Sequence, residues 1–330
     1  MPSRPTLLTR IPVAFFGMPL GIVALGIAWR NALDIWSLPA SIASILVWFG
    51  GALWLLLFLI YVAKWIWQRA SAQTEFAHPV QCCFVGLAGV VASLTSIGLV
   101  ADAPKVAFPL FVLGGAWTLL FAIYRTGRLW MGDRKPEKTT PILYLPTVAG
   151  GFVSASAASA FGLPELAQLA FGAGLFGWLA IESIVIHRLY TAASMPPALR
   201  PTLGIQLAPP AVAAVAYLNV GAGAPDIVAH ALLGYAILQA LILLRMTAWL
   251  STAGATPAWW GFSFGAAALP TAAIKLVAHG ESALVATLAA PLFVVGNTVI
   301  MALMIMTLYL LFAGRLLPQP MVAVPVPSAS

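Results

Sequence analysis

The sequence predicts an all-α polytopic membrane protein: ten transmembrane helices arranged as five helical hairpins. Three observations predict it. Of the 330 residues, 62% are hydrophobic and only 8% charged, and the mean hydropathy is +0.98. Soluble domains carry about 25% charged residues, so there is too little charge here to cover a water-facing surface. The apolar runs reach the roughly 20 residues that a helix needs to cross the hydrocarbon, and the short alternating segments of a transmembrane barrel are missing. Finally, Lys and Arg gather at alternate connections between the runs.

In chain order the spans fall near 12–30, 42–66, 79–100, 106–126, 142–162, 165–187, 203–220, 227–249, 257–277 and 285–312. The first is broken by Pro19 between Gly17 and Gly21. The second is bulky and unbroken (ILVWFGGALWLLLFLI, 45–60). The third carries Gly86 and Gly89, together with Cys82 and Cys83. Neighbours on a helix point about 100° apart, so the two cysteines read as small core residues, neither a disulfide nor a metal pair. The fifth holds Pro146 ahead of Gly150 and Gly151. The sixth holds Glu182, the clear intramembrane acid, near His187 and Arg188; it reads as a structural ion pair near the cytoplasmic end, with a transport role as the alternative. The seventh turns on Pro209 and Pro210, the ninth contains WWGFSFGAAALP (259–270), and the eighth and tenth are again bulky. Short connections make consecutive spans hairpins. Residues 1–315 read as one transmembrane domain, and 316–330 as a disordered, Pro/Ser-rich cytoplasmic tail. The N-terminal MPSRPTLLTR lacks a small-residue cleavage site after a short apolar core, so no removable signal is expected.

With ten spans both termini lie on one side. Taking the N-terminus as inside puts 13 of the 16 Lys and Arg inside and 3 (Arg30, Lys105 and Lys275) outside. Cytoplasmic loops carry the excess of Lys and Arg, so the split supports ten spans with both termini cytoplasmic. It also accounts for the net charge of +7 without a nucleic-acid partner. No GxxxxGK[ST] phosphate loop is present, which argues against a nucleotide-driven pump. His78, His187, His230 and His279 lie near predicted span ends, and none is spaced with a nucleophile. No enzyme site, metal or cofactor is therefore expected.

The spans alternate in character. Odd-numbered spans carry the breakers Pro19, Pro146, Pro209 and Pro270, expected to kink their helices, and even spans are bulkier. The breaker centres recur at spacings of 70, 57, 63 and 61 residues, a weak five-fold hairpin repeat. Small residues line up at helical spacing on the odd spans: Gly17 and Gly21; Gly86 and Gly89; Thr147, Gly150 and Gly151; Ala208 and Ala211; Gly261, Gly265 and Ala268. Such faces also bring membrane helices into close contact. Recurring on five helices, four of them with prolines, they favour an inner ring of odd helices around a passage, with even helices outside. The segments 11–29, 79–101, 139–164, 201–225 and 246–274 contain no Asp, Glu, Lys, Arg or His, and Lys275 is expected to snorkel to the outer surface. The passage therefore reads as uncharged, a lining that holds ions weakly and suits conduction. The residues alone leave the sign of the ion open. On the ninth span Phe264 is the lone bulky group on the Gly261, Gly265, Ala268, Ala272 face; it reads either as a steric plug or as an ordinary packed phenylalanine.

WWGFSFG, FFGMPLGIVALGIAW, LYLPTVAGGFVSAS, FGAGLFGWLAIESIV and LRPTLGIQLAPPAVA occur in the order found in the TehA-type tellurite-resistance family. The chain resembles that family from about residue 11 to 315. The family is homologous to plant slow anion channels and fungal malate transporters. The resemblance implies a homotrimer in a bacterial inner membrane, one pore per protomer, and passive flow of small inorganic anions such as chloride and nitrate. It implies that Phe264 occludes the pore and that Gly17 is pore-adjacent. The sequence departs from the family at Gly89, where relatives carry proline; at Glu182-Ser183, where they carry Glu-Pro; and at Gly150-Gly151, where close relatives show asparagine. The competing expectation is a secondary transporter of C4-dicarboxylates or tellurite-type oxyanions.

Overall fold

The computed structural model describes residues 7–132, 134–221, 223–280 and 284–317. Among them ten helices are long and apolar enough to cross a membrane. They are α1 Val13–Ala32, α2 Ala40–Trp67, α3 Gln81–Leu99, α4 Pro104–Trp130, α5 Pro141–Ala160, α6 Pro164–Thr191, α7 Pro197–Val220, α8 Ile227–Arg245, α9 Pro257–Ala278 and α10 Leu284–Phe312. No strand occurs among the described residues. The connection between α2 and α3 holds a short helix, Arg69–Ala77, that hydropathy alone does not reveal.

Each odd helix packs on the even helix that follows it, α1 on α2 through α9 on α10. The odd helices also touch one another in the order α1, α3, α5, α7, α9 and back to α1. They are 72–89% buried, whereas the even helices are only 17–28% buried. Leu119, Leu120 and Ile123 on α4, and Val294, Ile305 and Leu308 on α10, are among the apolar side chains left on that outer surface. In water this surface would be ruinous; against lipid tails it costs nothing.

The backbone of the odd helices is irregular on one side only. α1 begins as a 3₁₀ turn (Val13–Phe16), α7 as a long 3₁₀ stretch (Pro197–Leu207) and α9 as another (Pro257–Phe262). α5 opens with a 3₁₀ turn and then a π-helical stretch, Leu145–Ala149, that contains Pro146. Only α3, which contains no proline, is regular α-helix throughout. Two of the four expected kinks need correction. Pro19 and Pro209 lie in the first turn of the α-helical parts Gly17–Ala32 and Ala208–Val220, where a missing N–H costs no helical bond. They mark the handover from 3₁₀ to α. Pro270 is the one of the four inside an α-helix. It leaves the Ala266 carbonyl without its helical donor, and Gly296 of α10 lies against that carbonyl, so close that a Cβ would sit 2.5 Å from the oxygen.

In the last turn of α2, Lys64 is fully buried. It donates at 2.9 Å to both oxygens of Glu75 and at 2.8 Å to the Ile11 carbonyl, tying the short helix to the start of α1. The expected tail at 316–330 is only partly described: Leu316 and Leu317 are half-buried against the core, and 318–330 lie outside the described residues.

Candidate functional site

Two cavities lie inside the odd helices. The first, of about 330 Å³, is lined by the early part of each: Gly17 and Leu20 of α1, Gln81 and Phe84 of α3, Tyr144 and Val148 of α5, Ala208 and Pro209 of α7, Trp260 and Gly261 of α9. The second, of about 170 Å³, is lined by the later part of each: Ala24 and Asn31, Leu94 and Ile97, Ser156 and Ser159, Val215 and Asn219, Ala268 and Lys275. Helices that enter from one side run their early and late halves through opposite leaflets, so the cavities face opposite sides of the membrane. Among the described residues just two, Phe264 and Val212, line both. Both are buried.

Phe264 is held where it is by the two residues before it. Phe262 fills the space over Gly204, where even a Cβ would come within 2.2 Å of the ring, and stacks on Trp259 at 5.4 Å. Ser263 Oγ donates to the Trp260 carbonyl at 2.8 Å, and Trp260 Nε1 donates to Thr307 Oγ1 of α10 at 2.8 Å. The 3₁₀ segment is thus pinned on its outer side, and the first α-helical turn swings Phe264 inward.

Of the residues expected to line a passage, Gly17, Ala208, Gly261, Phe264 and Ala268 line a cavity. The others line neither, and most of them serve helix contacts. Gly21 faces Ser263, Gly265 faces Leu207, Gly86 faces Phe121, and Gly89 and Gly150 face Thr118. Gly151 meets Gly174 of α6 backbone to backbone, a Cβ there reaching 2.6 Å from the Gly174 Cα. Thr147 lies 3.3 Å, hydroxyl to hydroxyl, from Thr126 of α4, and Ala211 is completely buried. The expected faces were drawn at the α-helical period. On α1, α5, α7 and α9 tracts of 3₁₀ and π helix turn by different angles per residue, and the stripe facing the cavity is rotated accordingly; α3 is regular, and its Gly86 and Gly89 instead serve the close contact with α4.

Glu182 is also corrected. Among the described residues it forms no ion pair. Its carboxylate accepts from Tyr144 Oη (2.6 Å), Trp178 Nε1 (3.0 Å) and Tyr235 Oη (3.0 Å), joining α5, α6 and α8 behind the wall of the first cavity. Lys275 was expected at the outer surface. It instead lines the second cavity, with Nζ donating to Asn31 Oδ1 at 3.3 Å. Its position was readable: 264, 268, 271 and 275 follow one helical stripe, and Phe264, Ala268, Thr271 and Lys275 all line that cavity. Arg315 lines the first cavity from beyond the end of α10, and nothing in the sequence marks it. Among the described residues, no carboxylate lines either cavity. The path is therefore not uncharged: each half holds one cation, amid an otherwise apolar or hydroxyl- and amide-bearing wall.

A ten-helix membrane bundle with two cavities in series and cations but no acids along them is built to handle anions. The chain belongs to the voltage-dependent anion channel (SLAC1) family, whose model matches residues 10–308. It is 34% identical over 306 residues to the tellurite resistance protein TehA homolog of Haemophilus influenzae, covering 92% of each chain. It is 23% identical over 321 residues to the S-type anion channel SLAH3 of Arabidopsis thaliana, spanning 93% of this chain and 49% of that one. A second Arabidopsis thaliana S-type anion channel, SLAH2, is 25% identical over 282 residues, 81% of this chain and 53% of that protein.

Proposed function

We propose that the protein is a passive channel for small monovalent anions, chloride and nitrate above all, and that Phe264 occludes its path. The observation that carries this reading is that Phe264 and Val212 stand between two cavities which otherwise share no lining residue. A phenyl ring across a narrow apolar passage blocks it sterically and favours dewetting. Lys275 and Arg315 supply the sign: a fixed cation in each half raises the local concentration of anions and repels cations. A single cation per cavity matches a monovalent ion; a dicarboxylate or an oxyanion of higher charge would call for converging cations at one depth. By resemblance, the protein works as a homotrimer in a bacterial inner membrane, and the charge split supports cytoplasmic termini, which makes the first cavity the cytoplasmic one.

The test is electrical. Wild type and Phe264→Ala are reconstituted and their currents recorded in chloride, nitrate and malate under opposed salt gradients. The expected result is a large current gain in the variant, at least about tenfold for removal of a barrier of 1.4 kcal/mol or more, with reversal following chloride or nitrate. A folded variant as silent as wild type, with saturable uptake of malate driven by a proton gradient, would overturn both the occlusion and the channel and favour the secondary transporter.

A further inference from the structure

A third cavity, of about 400 Å³, lies outside the ring of odd helices, and the anion path makes no use of it. Its wall is formed by the last turns of α4, the segment after it and the residues leading into α3. Five cations line it, Arg125, Arg128, Arg134, Lys135 and Lys138, and no carboxylate does. Two of them are forced together: Arg125 Nη2 (2.7 Å) and Arg134 Nη1 (3.3 Å) donate to the same carbonyl, that of Pro79. The Nε atoms of both are buried and have no hydrogen-bond partner. Arg134 Nη2 donates to the Lys138 carbonyl as well. Converging guanidiniums are the chemistry of a phosphate site. Neither of the two salt bridges among the described residues is here. Asp133, in the same segment, lies outside the described residues; even with Asp133 and Glu137 counted, residues 125–138 carry five cations against two acids, a net +3. The charge is felt nearby: burial first, and then Lys138 and Arg134, hold the His78 imidazole below its ordinary range.

The other half of the lining is apolar: Phe76, Tyr124, Leu129 and Met131. The exposed aliphatic side chains of α4, Leu119, Leu120 and Ile123, stop before Arg125, and Trp130 and Met131 are exposed beyond it. The cations therefore sit at the depth where headgroups begin, on the side that carries most of the chain's Lys and Arg.

We propose that this pocket binds a phosphate-bearing anion, and that its source is the headgroup of an anionic phospholipid, whose glycerol and first methylenes cover the Phe76–Tyr124 wall. Basic pockets between transmembrane helices hold such headgroups.

Native mass spectrometry tests it. Wild-type protein in neutral detergent is mixed with equal amounts of phosphatidylglycerol and phosphatidylcholine, and the retained lipid is counted. Wild type is expected to retain phosphatidylglycerol preferentially. Arg128→Gln/Lys135→Gln/Lys138→Gln changes three exposed side chains and should cut that preference by about fivefold for each cation lost, about a hundredfold in all. Lys105→Gln, a charge removed from the opposite end of α4, should leave it intact. Should the triple variant melt lower than wild type in phosphatidylcholine alone, Arg128→Gln by itself carries the test at about fivefold. A second arm adds inorganic pyrophosphate to protein in phosphatidylcholine. A rise in melting midpoint there for wild type but not the triple variant, with no lipid preference, supports the phosphate site and overturns the lipid source. Equal lipid retention and equal pyrophosphate response in wild type and triple variant overturn the site.

Discussion

The odd and even helices are all apolar enough to cross a membrane, the even ones more strongly so. They differ in backbone and neighbours. Every even helix runs as α-helix for its whole length, while four of the five odd helices start in 3₁₀ or π geometry. Irregular backbone is tolerated at membrane depth where protein or a water-filled cavity satisfies it, and the first cavity is lined by those irregular segments. Hydropathy reports that a segment crosses the bilayer; a proline alone does not report which segments surround the path, since Pro109 and Pro291 lie inside α4 and α10, and it is the irregular starts of the odd helices that coincide with the first cavity.

The comparison breaks first where the two sets touch. Gly151 of α5 and Gly174 of α6 meet backbone to backbone, with no flexible side chain to yield. Gly151→Leu should cost at least about 3 kcal/mol, the upper range for overpacking, and abolish recovery of folded protein on size-exclusion chromatography. Leu120→Ala, on the lipid side of α4, should change stability by less than about 0.5 kcal/mol. Equal effects at the two positions would dissolve the distinction between a packed inner set and a lipid-facing outer one.

The next effect concerns the path. Lys275→Gln leaves the second cavity without its cation. Measured in the conducting Phe264→Ala background, chloride conductance at low salt should fall roughly tenfold and the deficit should shrink at high salt, as a screened charge requires. A salt-independent loss would mean that Lys275 acts through packing. An effect of similar size, on stability rather than conduction, is expected behind the wall. Tyr144→Phe removes the 2.6 Å donor to Glu182 while Trp178 and Tyr235 remain. About 1.5–3 kcal/mol of stability should be lost, the scale of a hydrogen bond to a charged group, and thermal melts read it directly.

These residues also mark what the sequence made legible. All ten spans, their pairing partners and the inner or outer character of each follow from run length, breakers and bulk. Phe264 stands out in the sequence as the one large side chain on a face of small ones, and it lines both cavities; the face alone does not separate a plug from an ordinary packed phenylalanine. The glycines did not follow. A small-xxx-small stripe fits a path and a helix contact equally well, and Gly21, Gly86, Gly89 and Gly150 serve contacts. The residues that face the first cavity, such as Leu20, Val148 and Phe84, are of ordinary core type. Lys275 stands one residue beyond the charge-free segment that ends at 274, on the continuation of the stripe that carries Phe264. Arg315 depends on how the chain folds back after α10, which no local pattern encodes.

The smallest effect lies outside the membrane, where an even helix is fastened to an odd one. Lys64 ends α2, Ile11 precedes α1, and Glu75 sits between them on the short helix. Burial raises the Glu75 carboxyl above its ordinary range, and the hydrogen bond and charge of Lys64 only partly offset that. A carboxyl raised in the folded state binds more protons folded than unfolded, in the window from its unfolded value, about 4.3, up to the raised one. Through that window stability must rise as the pH falls. Glu75→Gln removes the titrating group and should flatten the slope there by at most about 1.4 kcal/mol per pH unit. Thermal melts of both proteins across the window check it. Parallel pH profiles would mean that water reaches Glu75 in the folded protein, and that the junction of α1, α2 and α3 is looser than the membrane-embedded contacts it continues.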